Sequence, residues 1–432
     1  MNKKNIAFRT FGCKLNFSET ASILRSFPEK EFKTVDFKEK ADIYVINSCC
    51  VTKNAEKKSK QAVGKAIRLN PDAIIVVIGC LSQLKQNEIA DIKGVDIILG
   101  NAEKYNLLKY IQDFNKKDKT KIFISERDKI NNFVPCYSLK GRTRSFFKIQ
   151  DGCDYFCAYC IIPFVRGKSR YNTIANTIKM AKDIAATQTK EIVLSGINIG
   201  DFGKNNNETF YELIQEFEKI KNIDRIRISS IEPDLLFDDI ISFVAKSNKF
   251  LPHFHIPLQS GSDKILKLMH RRYKRKLFAD KVKKIKSLMP YSCIAADVIV
   301  GFPNETDEDF EDTYNFIKNL DISYLHIFTY SERENTLASS FKQKVPDKIK
   351  HIRSKKLHEL SDIKKEHFYK QNIDKTVSVL FESKDDNGYM YGFSENYIKV
   401  KTKYNPKFIN NIFTVKLTDI DAHGIFNAEF IS

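Results

Sequence analysis

Short apolar segments alternate with longer amphipathic segments over about the first 130 residues of the chain. The apolar segments are IAFRTFG at 6–12, ADIYVINS at 41–48 and AIIVVIG at 73–79. Between them stand SETASILRSF and AEKKSKQAVGKAIRL, which have the composition of helices. An alternation of this kind predicts a parallel sheet connected by crossover helices. We therefore expect an N-terminal α/β domain over residues 1–115.

A hydrophilic stretch at 113–143 interrupts the alternation, and we interpret it as a linker that contains one strand. After it come six further strand-like segments, separated by helical ones: SFFKIQ, EIVLSG, RIRISSI, FHIPLQ, IAADVIVG and YLHIFTY. Six βα repeats predict an incomplete (β/α)6 barrel that is open at one side. The functional end of such a barrel is formed by the carboxyl ends of its strands. We expect this domain over residues 140–370.

Five shorter strand-like segments follow a basic helical segment at 346–371: TVSVLFE, YMYGFS, YIKVKT, IFTVKLTDI and FNAEFI. The pair Asn387-Gly388 between the first two is typical of a hairpin turn. Five short strands so close together predict a small β-barrel over residues 373–432. The expected fold class is therefore α/β and multidomain, with a small β-barrel at the C-terminal end.

Basic residues outnumber acidic residues, 72 against 54, and give a formal net charge of +18. Such a surface attracts polyanions, although lysines can also serve only to solvate helices. The longest apolar run, AIIVVIGCL, is far shorter than the roughly 18 residues that span a bilayer. The first residues also lack the apolar core of a signal peptide. We expect a cytoplasmic protein without a membrane partner.

The chain has nine cysteines, which in a cytoplasmic protein indicate metal binding or catalysis because disulfides are rare there. Cys13, Cys49 and Cys80 each follow one of the first three predicted strands. The carboxyl edge of an open parallel sheet is where α/β proteins build their sites. We expect all three cysteines at this edge.

Cys153, Cys157 and Cys160 form a C-x3-C-x2-C pattern after the first strand of the predicted barrel. Three thiolates leave one iron of a cubic iron-sulfur cluster without a protein ligand, whereas a structural zinc site normally has four ligands. An open iron can bind a small molecule, and Tyr159 could pack against it. The alternative is a zinc site whose fourth ligand, such as a histidine, lies elsewhere in the chain.

The segment DGCDYFCAYCIIPFVRGKSR at 151–170 resembles the radical S-adenosylmethionine family, whose hallmark is this cysteine pattern. The resemblance implies a 4Fe-4S cluster whose open iron binds S-adenosylmethionine and reduces it to a 5′-deoxyadenosyl radical. Other segments are similar to methylthiotransferases, and most of all to the tRNA threonylcarbamoyladenosine group: FGCKLNFSET, INSCCVTKNAEKKSKQ, GCLSQ, HIPLQSGSDKILKLMHRRY and DVIVGFPNETDEDF. The C-terminal barrel then corresponds to the TRAM domain of that family.

This resemblance implies methylthiolation at C2 of N6-threonylcarbamoyladenosine, at position 37 beside the anticodon of tRNA. It implies two 4Fe-4S clusters and S-adenosylmethionine as cofactors, with Cys13, Cys49 and Cys80 holding the cluster that handles sulfur. The implied partners are the tRNA anticodon loop, an electron donor and a sulfur source. The other three cysteines, Cys50, Cys136 and Cys293, are expected not to be ligands.

The same resemblance implies contacts with S-adenosylmethionine from residues at strand ends: Tyr159, Gly196, Ser230, Glu232, Gln259 and Gly301. Glycine permits close backbone approach, and the polar side chains can bind ribose or amino groups. The same residue types also suit ordinary turns and strand ends. Arg166 and Arg170 are surface arginines by default and substrate or cofactor contacts by resemblance.

Three lysines, Lys399, Lys401 and Lys403, alternate with Ile398 and Val400 in the third segment of the predicted small barrel. At a strand period of two the lysines share one face while the apolar side chains pack inward. We expect this lysine face to contact tRNA phosphates. The alternative is a solvated face that protects the strand from unwanted pairing.

Other functions compete with this interpretation. Within the family, the substrate could be isopentenyladenosine in tRNA or an aspartate of a ribosomal protein. The basic charge favours RNA, and GCKLN departs from the GCQMN that is typical of the isopentenyl group. A non-catalytic, metal-stabilised RNA-binding protein is the alternative from another class, and it leaves the six strand-end cysteines unexplained.

Overall fold

The computed structural model describes residues 3–116, 119–138 and 143–431. The predicted domain limits at residues 1, 140 and 432 lie outside these ranges. Two compact units make up the chain. The first comprises Met1–Ser138, Phe146–Phe156 and Cys160–Tyr171, and the second comprises Leu139–Ser145, Cys157–Tyr159 and Asn172–Ser432.

A six-stranded parallel sheet with the order β2-β1-β3-β4-β5-β6 forms the centre of the first unit. Its strands are β1 Lys4–Thr10, β2 Phe32–Thr34, β3 Ile43–Ser48, β4 Ile74–Gly79, β5 Ile97–Leu99 and β6 Lys121–Phe123. Its helices are α1 Lys14–Arg25, α2 Lys53–Leu69, α3 Cys80–Leu84, α4 Gln86–Ala90 and α5 Leu107–Gln112. The predicted parallel α/β fold is confirmed. Strand β6 lies within the stretch 113–143 and extends this sheet.

The sheet buries apolar side chains on both of its faces. Tyr44 and Ile46 of β3 belong to one apolar cluster, whereas Ile43 and Val45 belong to the cluster on the opposite face. A strand that is covered on both sides is continuously apolar, as ADIYVINS is. The same unit contains β7 Cys136–Tyr137, β9 Gln150–Asp151, α6 Ile162–Arg166 and β10 Arg170–Tyr171, and strand β8 Arg144–Lys148 contributes its last three residues.

All six strand-like segments predicted for the central region are strands. After β8 these are β11 Glu191–Ser195, β12 Arg225–Ile228, β13 His253–Gln259, β14 Cys293–Val300 and β15 Tyr324–Thr329. The helices between and after them are α7 Ile174–Ala185, α8 Phe210–Glu218, α9 Asp238–Lys246, α10 Asp263–Leu268, α11 Arg275–Leu288, α12 Asp307–Lys318 and α13 Asp347–Lys370. In the second unit, β11 pairs in parallel with β12, and β14 pairs in parallel with β13 and β15.

The last five strands of the second unit close into a small barrel, as predicted. They are β16 Thr376–Phe381, β17 Tyr389–Ser394, β18 Lys399–Lys403, β19 Ile412–Ile420 and β20 Phe426–Phe430, in the order β16-β17-β18-β20-β19. Asn387 and Gly388 both have positive φ between β16 and β17, which is the geometry of a type I′ hairpin turn. The predicted turn is confirmed.

The small barrel is attached to strands β12 and β14 of its own unit. The Arg225 guanidinium donates to the Phe393 carbonyl at 3.0 Å, and Arg227 donates to the Glu395 carbonyl at 3.3 Å. Cys293, the first residue of β14, is fully buried in the apolar cluster that fills the barrel. Among the residues that the structure describes, no helix has the length and apolar character that crossing a bilayer requires.

Candidate functional site

Three cysteines stand at the carboxyl edge of the six-stranded sheet. The strand register pairs Ser48 with Gly79. Cys49 therefore follows β3 directly, and Cys80 follows the adjacent end of β4. Cys13 lies three residues past β1, the other neighbour of β3, and is the N-cap residue of α1. The structure thus places this trio, the first cysteine triad, at the edge where we expected it.

Two glycines permit the close approach of these strand ends. Gly12 has φ +95°, and a Cβ atom there would lie 2.9 Å from the sulfur of Cys49. Gly79 has φ +97°, and its Cβ would clash with Oδ1 of Asn47. Any larger residue would need both a left-handed backbone and space that its neighbours occupy. Only glycine therefore fits directly before Cys13 and Cys80, at positions 12 and 79.

The thiols of the first triad have different tendencies to ionise. Burial raises the pKa of Cys49 to about 12, and the charge of Cys80 adds to this effect. A hydrogen bond from Cys50 lowers the pKa of Cys80 to about 6, and the cations Arg166 and Lys104 act in the same direction against burial. These contacts favour the thiolate form of Cys80 at neutral pH. The thiolate is the form of cysteine that binds metal.

A buried carboxylate lies behind the first triad and is surrounded by three cations. Glu19 of α1 accepts from Nζ of Lys104 at 2.6 Å, from Nζ of Lys148 at 3.0 Å and from the Arg166 guanidinium at 3.0 Å. All four side chains are at most 1% exposed. Asp151, which is 4% exposed, adds a second carboxylate and accepts from Arg166 at 2.8 Å. We refer to these five residues as the buried charge network.

Arg166 links this network to the first triad. Its guanidinium donates to Oδ1 of Asn16 at 2.7 Å, and Nδ2 of Asn16 donates to the carbonyl of Ser48, directly before Cys49. Arg170 also pairs with Asp151, at 2.9 Å, with its side chain 10% exposed. Of the two alternatives for Arg166 and Arg170, the ordinary surface arginine is therefore wrong, and contact with substrate or cofactor stays a prediction. No local pattern in the sequence indicated this, since their partners lie far away along the chain.

The first triad fits an iron-sulfur cluster in its donor set and in its surroundings. Three thiols are the ligands that such clusters take. Three cations against two carboxylates leave the buried charge network with an excess of positive charge, which suits an anionic thiolate cluster. Among the described residues, Nε of Arg166 and Oγ of Ser82 are buried without a hydrogen-bond partner. Donors of this kind suit the sulfur atoms of a cluster.

We expect Glu19→Gln to lower the free energy of unfolding of the first unit by about 3–5 kcal/mol, because it leaves buried cations without their shared partner. The matched control is Glu88→Gln, which removes an exposed partner of Lys60 and Lys85 and should cost less than about 1 kcal/mol. Hydrogen–deuterium exchange in urea, followed on peptides from the six-stranded sheet, measures this unit separately. Equal, small effects of the two substitutions would contradict the assigned role.

The second cysteine triad, Cys153, Cys157 and Cys160, lies on the loop between β9 and α6. Two of its members, Cys153 and Cys160, belong to the first unit. The backbone N–H of Cys153 donates to the carbonyl of Gly167 at 3.1 Å. Gly152 has φ +74°, and a Cβ there would clash with the carbonyl oxygen of Lys168. The start of the loop is therefore fixed against the segment that follows α6.

Cys157 and Tyr159 belong to the second unit, where Arg271 holds both. Its guanidinium donates to the sulfur of Cys157 at 3.2 Å and to the hydroxyl of Tyr159 at 3.4 Å, and it forms an ion pair with Glu232. The Arg271 side chain is only 3% exposed. Arg271 is not among the residues predicted from the sequence, where its only signal is its position in the segment MHRRY.

Backbone hydrogen bonds fix the short segment Cys157–Tyr159 within the second unit. The N–H of Ala158 donates to the carbonyl of Met269 at 3.0 Å, and the N–H of Ala338 donates to the carbonyl of Ala158 at 2.7 Å. The ring of Tyr159 packs edge-on against Phe302, with centroids 6.4 Å apart. Cys157 and Tyr159 are thus positioned by the residues around them, which is what an open cofactor site requires.

The residues expected to bind S-adenosylmethionine lie past or at the carboxyl ends of strands in the second unit. Gly196 follows β11, Ser230 and Glu232 follow β12, Gln259 ends β13 and Gly301 follows β14. Gln259 has φ +63°, at a register shift in β13, and Gly301 has φ +74°. Burial raises the pKa of Glu232 to about 7, although Arg271 acts against it. Whether these residues bind the cofactor stays a prediction.

The lysine face of β18 has the expected alternation, with Ile398 and Val400 fully buried. The three lysine charges are not equally free to contact a phosphate. Nζ of Lys401 lies 2.6 Å from Asp421. Nζ of Lys399 lies 4.1 Å from the centre of the Tyr391 ring, and Lys403 is exposed. The positive charge that can reach a phosphate is therefore carried mainly by Lys399 and Lys403.

The three cysteines not expected to be ligands are all fully buried. Cys50 donates to Cys80, and Cys136 lies in β7 of the first unit. Cys293 lies in the apolar cluster of the small barrel, and burial raises its pKa to about 12. This setting suits a structural role for Cys293.

Two family descriptions match the chain. Residues 5–100 match Uncharacterized protein family UPF0004, and residues 147–317 match the Radical SAM superfamily. The threonylcarbamoyladenosine tRNA methylthiotransferase MtaB of Bacillus subtilis is 38% identical, over 95% of this chain and 93% of that protein. The protein of the same name from Aquifex aeolicus is 39% identical, over 92% and 96%. The tRNA-2-methylthio-N(6)-dimethylallyladenosine synthase of Clostridium tetani is 34% identical, over 96% and 94%.

Solved structures with a similar fold include the radical S-adenosylmethionine methyltransferase TsrM from Kitasatospora setae. The TM-score is 0.56 at 12% identity, covering 78% of this chain and 77% of that one. The cobalamin-dependent S-adenosylmethionine radical enzyme OxsB gives a TM-score of 0.52 at 13% identity, covering 84% of this chain and 56% of that one. At these identities the similarity concerns the fold alone.

Proposed function

The chain belongs to the family of radical S-adenosylmethionine methylthiotransferases that modify tRNA, and we propose that it methylthiolates C2 of N6-threonylcarbamoyladenosine. The observation that carries this proposal is the presence of two separate cysteine triads, one at the edge of the first sheet and one on the β9–α6 loop. Relatives that are 35–39% identical over nearly their whole length carry this activity in their names.

Each triad would hold one 4Fe-4S cluster, and S-adenosylmethionine would bind at the second triad. When bound, these groups would supply the radical that removes the C2 hydrogen and the methylthio group that replaces it, with the methyl carried by a second S-adenosylmethionine. Cofactor chemistry of this kind is needed because the C2–H bond is neither acidic nor polarised, so that acid or base side chains alone do not suffice.

The side chains of the second unit orient the reacting groups. Arg271 holds the sulfur of Cys157 and the carboxylate of Glu232 at the same time. We infer that this arrangement fixes one cluster ligand relative to a carboxylate that can receive the amino group of S-adenosylmethionine. In the first unit the corresponding task falls to the hydrogen bond from Cys50 and to Arg166 and Lys104 of the buried charge network, which together favour the thiolate of Cys80.

The proposed macromolecular partner is the anticodon loop of tRNA, with the modified adenosine at position 37. A base must leave the stack to reach a site inside a protein, and this costs little in a single-stranded loop. An electron donor and a sulfur source are further partners that the chemistry requires. We place the enzyme in the cytoplasm, where its tRNA substrate is found.

Nucleoside mass spectrometry of tRNA tests the substrate directly. In a strain that lacks this gene, we expect the 2-methylthio form of threonylcarbamoyladenosine to disappear and the unmethylthiolated form to accumulate. A plasmid copy should restore it, and the 2-methylthio form of isopentenyladenosine should not change. Loss of the isopentenyl product instead would assign the chain to the other tRNA substrate. No change in either product would contradict the proposal.

Cys49→Ala should stop methylthio transfer but leave production of 5′-deoxyadenosine from S-adenosylmethionine measurable, because the first triad serves sulfur and not the radical. The neighbouring substitution Cys50→Ala is the matched control: it removes the hydrogen bond to Cys80 but none of the three expected ligands, and it should retain both products. Both are measured by liquid chromatography of anaerobic reactions with tRNA. If Cys50→Ala loses the methylthio product and Cys49→Ala keeps it, Cys50 is the ligand and the assignment is wrong.

The double substitution Lys399→Gln and Lys403→Gln should weaken tRNA binding without changing which adenosine is modified. For each phosphate that a lysine no longer neutralises, the slope of log affinity against log salt should fall by about 0.7 to 0.9. The control is Lys276→Gln on α11, whose side chain is 82% exposed. Fluorescence anisotropy at several salt concentrations gives both quantities. An unchanged slope in a folded, cluster-loaded double variant would remove this face from the tRNA-binding surface.

A further inference from the structure

Three side chains outside both cysteine triads converge on neighbouring strands of the second unit. They are His255 of β13, Asp297 of β14 and His326 of β15. The register pairs Asp297 with His326 and with Pro257, which is two residues past His255. Because side chains alternate along a strand, His255 and Pro257 share one face of the sheet. The three polar side chains therefore point to the same side of three consecutive parallel strands.

The ligand atoms of this group are close together. Nε2 of His255 lies 2.7 Å from Oδ1 of Asp297, and the rings of His255 and His326 have centroids 5.0 Å apart. One nitrogen from each imidazole and one carboxylate oxygen all lie within 4.8 Å of one another. In the part of the chain that the structure describes, no other group of three or more His, Cys, Asp or Glu side chains has its ligand atoms within 4.8 Å of one another.

The group is open to solvent and carries one carboxylate. The side chains of His255 and Asp297 are 18% and 17% exposed, and His326 is exposed, so that solvent ions can reach the group. Within the described ranges, the ion-pair contact of Asp297 is with His255, which is charged only when its ring is protonated. No lysine or arginine in those ranges thus neutralises Asp297 through an ion pair. Tyr324 packs edge-on against His326, with centroids 5.3 Å apart, and limits the orientations of that ring.

We propose that His255, Asp297 and His326 form a binding site for one divalent transition-metal ion, with zinc as its representative. Two imidazoles and one carboxylate are a donor set that suits zinc and iron(II). Three protein ligands leave coordination positions open for water or for an anionic oxygen ligand. The three ligands are distinct from the six cysteines. They adjoin the strand end expected to bind S-adenosylmethionine, since His255 is bridged to Ser230 and the charge of Asp297 adds to the burial that raises the pKa of Glu232.

Zinc uptake by the full-length, cluster-loaded protein tests the site, because iron then occupies the cysteine thiols. The protein is dialysed anaerobically against a series of zinc concentrations, and bound zinc is measured by mass spectrometry. We expect the wild type to bind one more zinc ion per chain than His326→Ala binds. Affinity should fall more than about tenfold, since even the loss of an outer-shell partner costs that much. His326 is exposed, so its replacement does not disturb the core.

Asp297→Asn is the second variant, since it keeps the shape of the side chain and removes the anionic ligand. The matched control is His358→Ala, which removes an exposed histidine of helix α13 and should leave zinc binding unchanged. Iron content of each variant shows that both cluster sites are intact. The proposal is overturned if the wild type binds no more zinc than His326→Ala and Asp297→Asn. It is also overturned if His358→Ala lowers zinc binding as much as they do.

Discussion

The pairing of Glu19 with Lys104, Lys148 and Arg166 is the interaction on which the first unit depends. Leaving any one of these buried ions without its partner costs several kcal/mol, so the four side chains have to meet. They stand on α1, beside α5, on β8 and on α6. Their meeting therefore fixes Phe146–Phe156 and Cys160–Tyr171 in the same compact unit as the six-stranded sheet. It also places Arg166 and Lys104 where their charges favour the thiolate of Cys80.

In the second unit a single buried cation, Arg271, has the role that the buried charge network has in the first unit. A single buried guanidinium contacts Cys157, Tyr159 and Glu232. In both units the charge of a buried arginine favours the thiolate of a triad cysteine. Arg166 adds to the hydrogen bond that lowers the pKa of Cys80, and Arg271 acts against the burial that raises the pKa of Cys157. A thiolate cluster is anionic, and a fixed cation in a low-dielectric environment offsets its charge more strongly than water-exposed lysines could. The cysteine ligands and the cations that stabilise their charge thus come from different parts of the sequence.

The sequence was sufficient for the features that depend on local pattern. Alternation predicted the parallel sheet and the six strands of the central region, and Asn387-Gly388 predicted a hairpin turn of the small barrel. What it could not show were contacts between distant residues. Arg166 and Glu19 are 147 positions apart, and Arg271 and Cys157 are 114 apart. The pairing of Lys401 with Asp421, 20 positions away, was missed because it depends on how β18 lies beside the connection between β19 and β20 in the closed barrel.

We propose that each of the two cysteine triads holds its cluster independently of the other. The direct test is the iron and sulfide content of two anaerobically purified triple variants, one with Cys13, Cys49 and Cys80 replaced by Ala and the other with Cys153, Cys157 and Cys160 replaced. Since a 4Fe-4S cluster contains four irons, we expect about eight irons per wild-type chain and about four in each folded variant. A variant that keeps about eight, or a wild type that holds only zinc, would contradict the account.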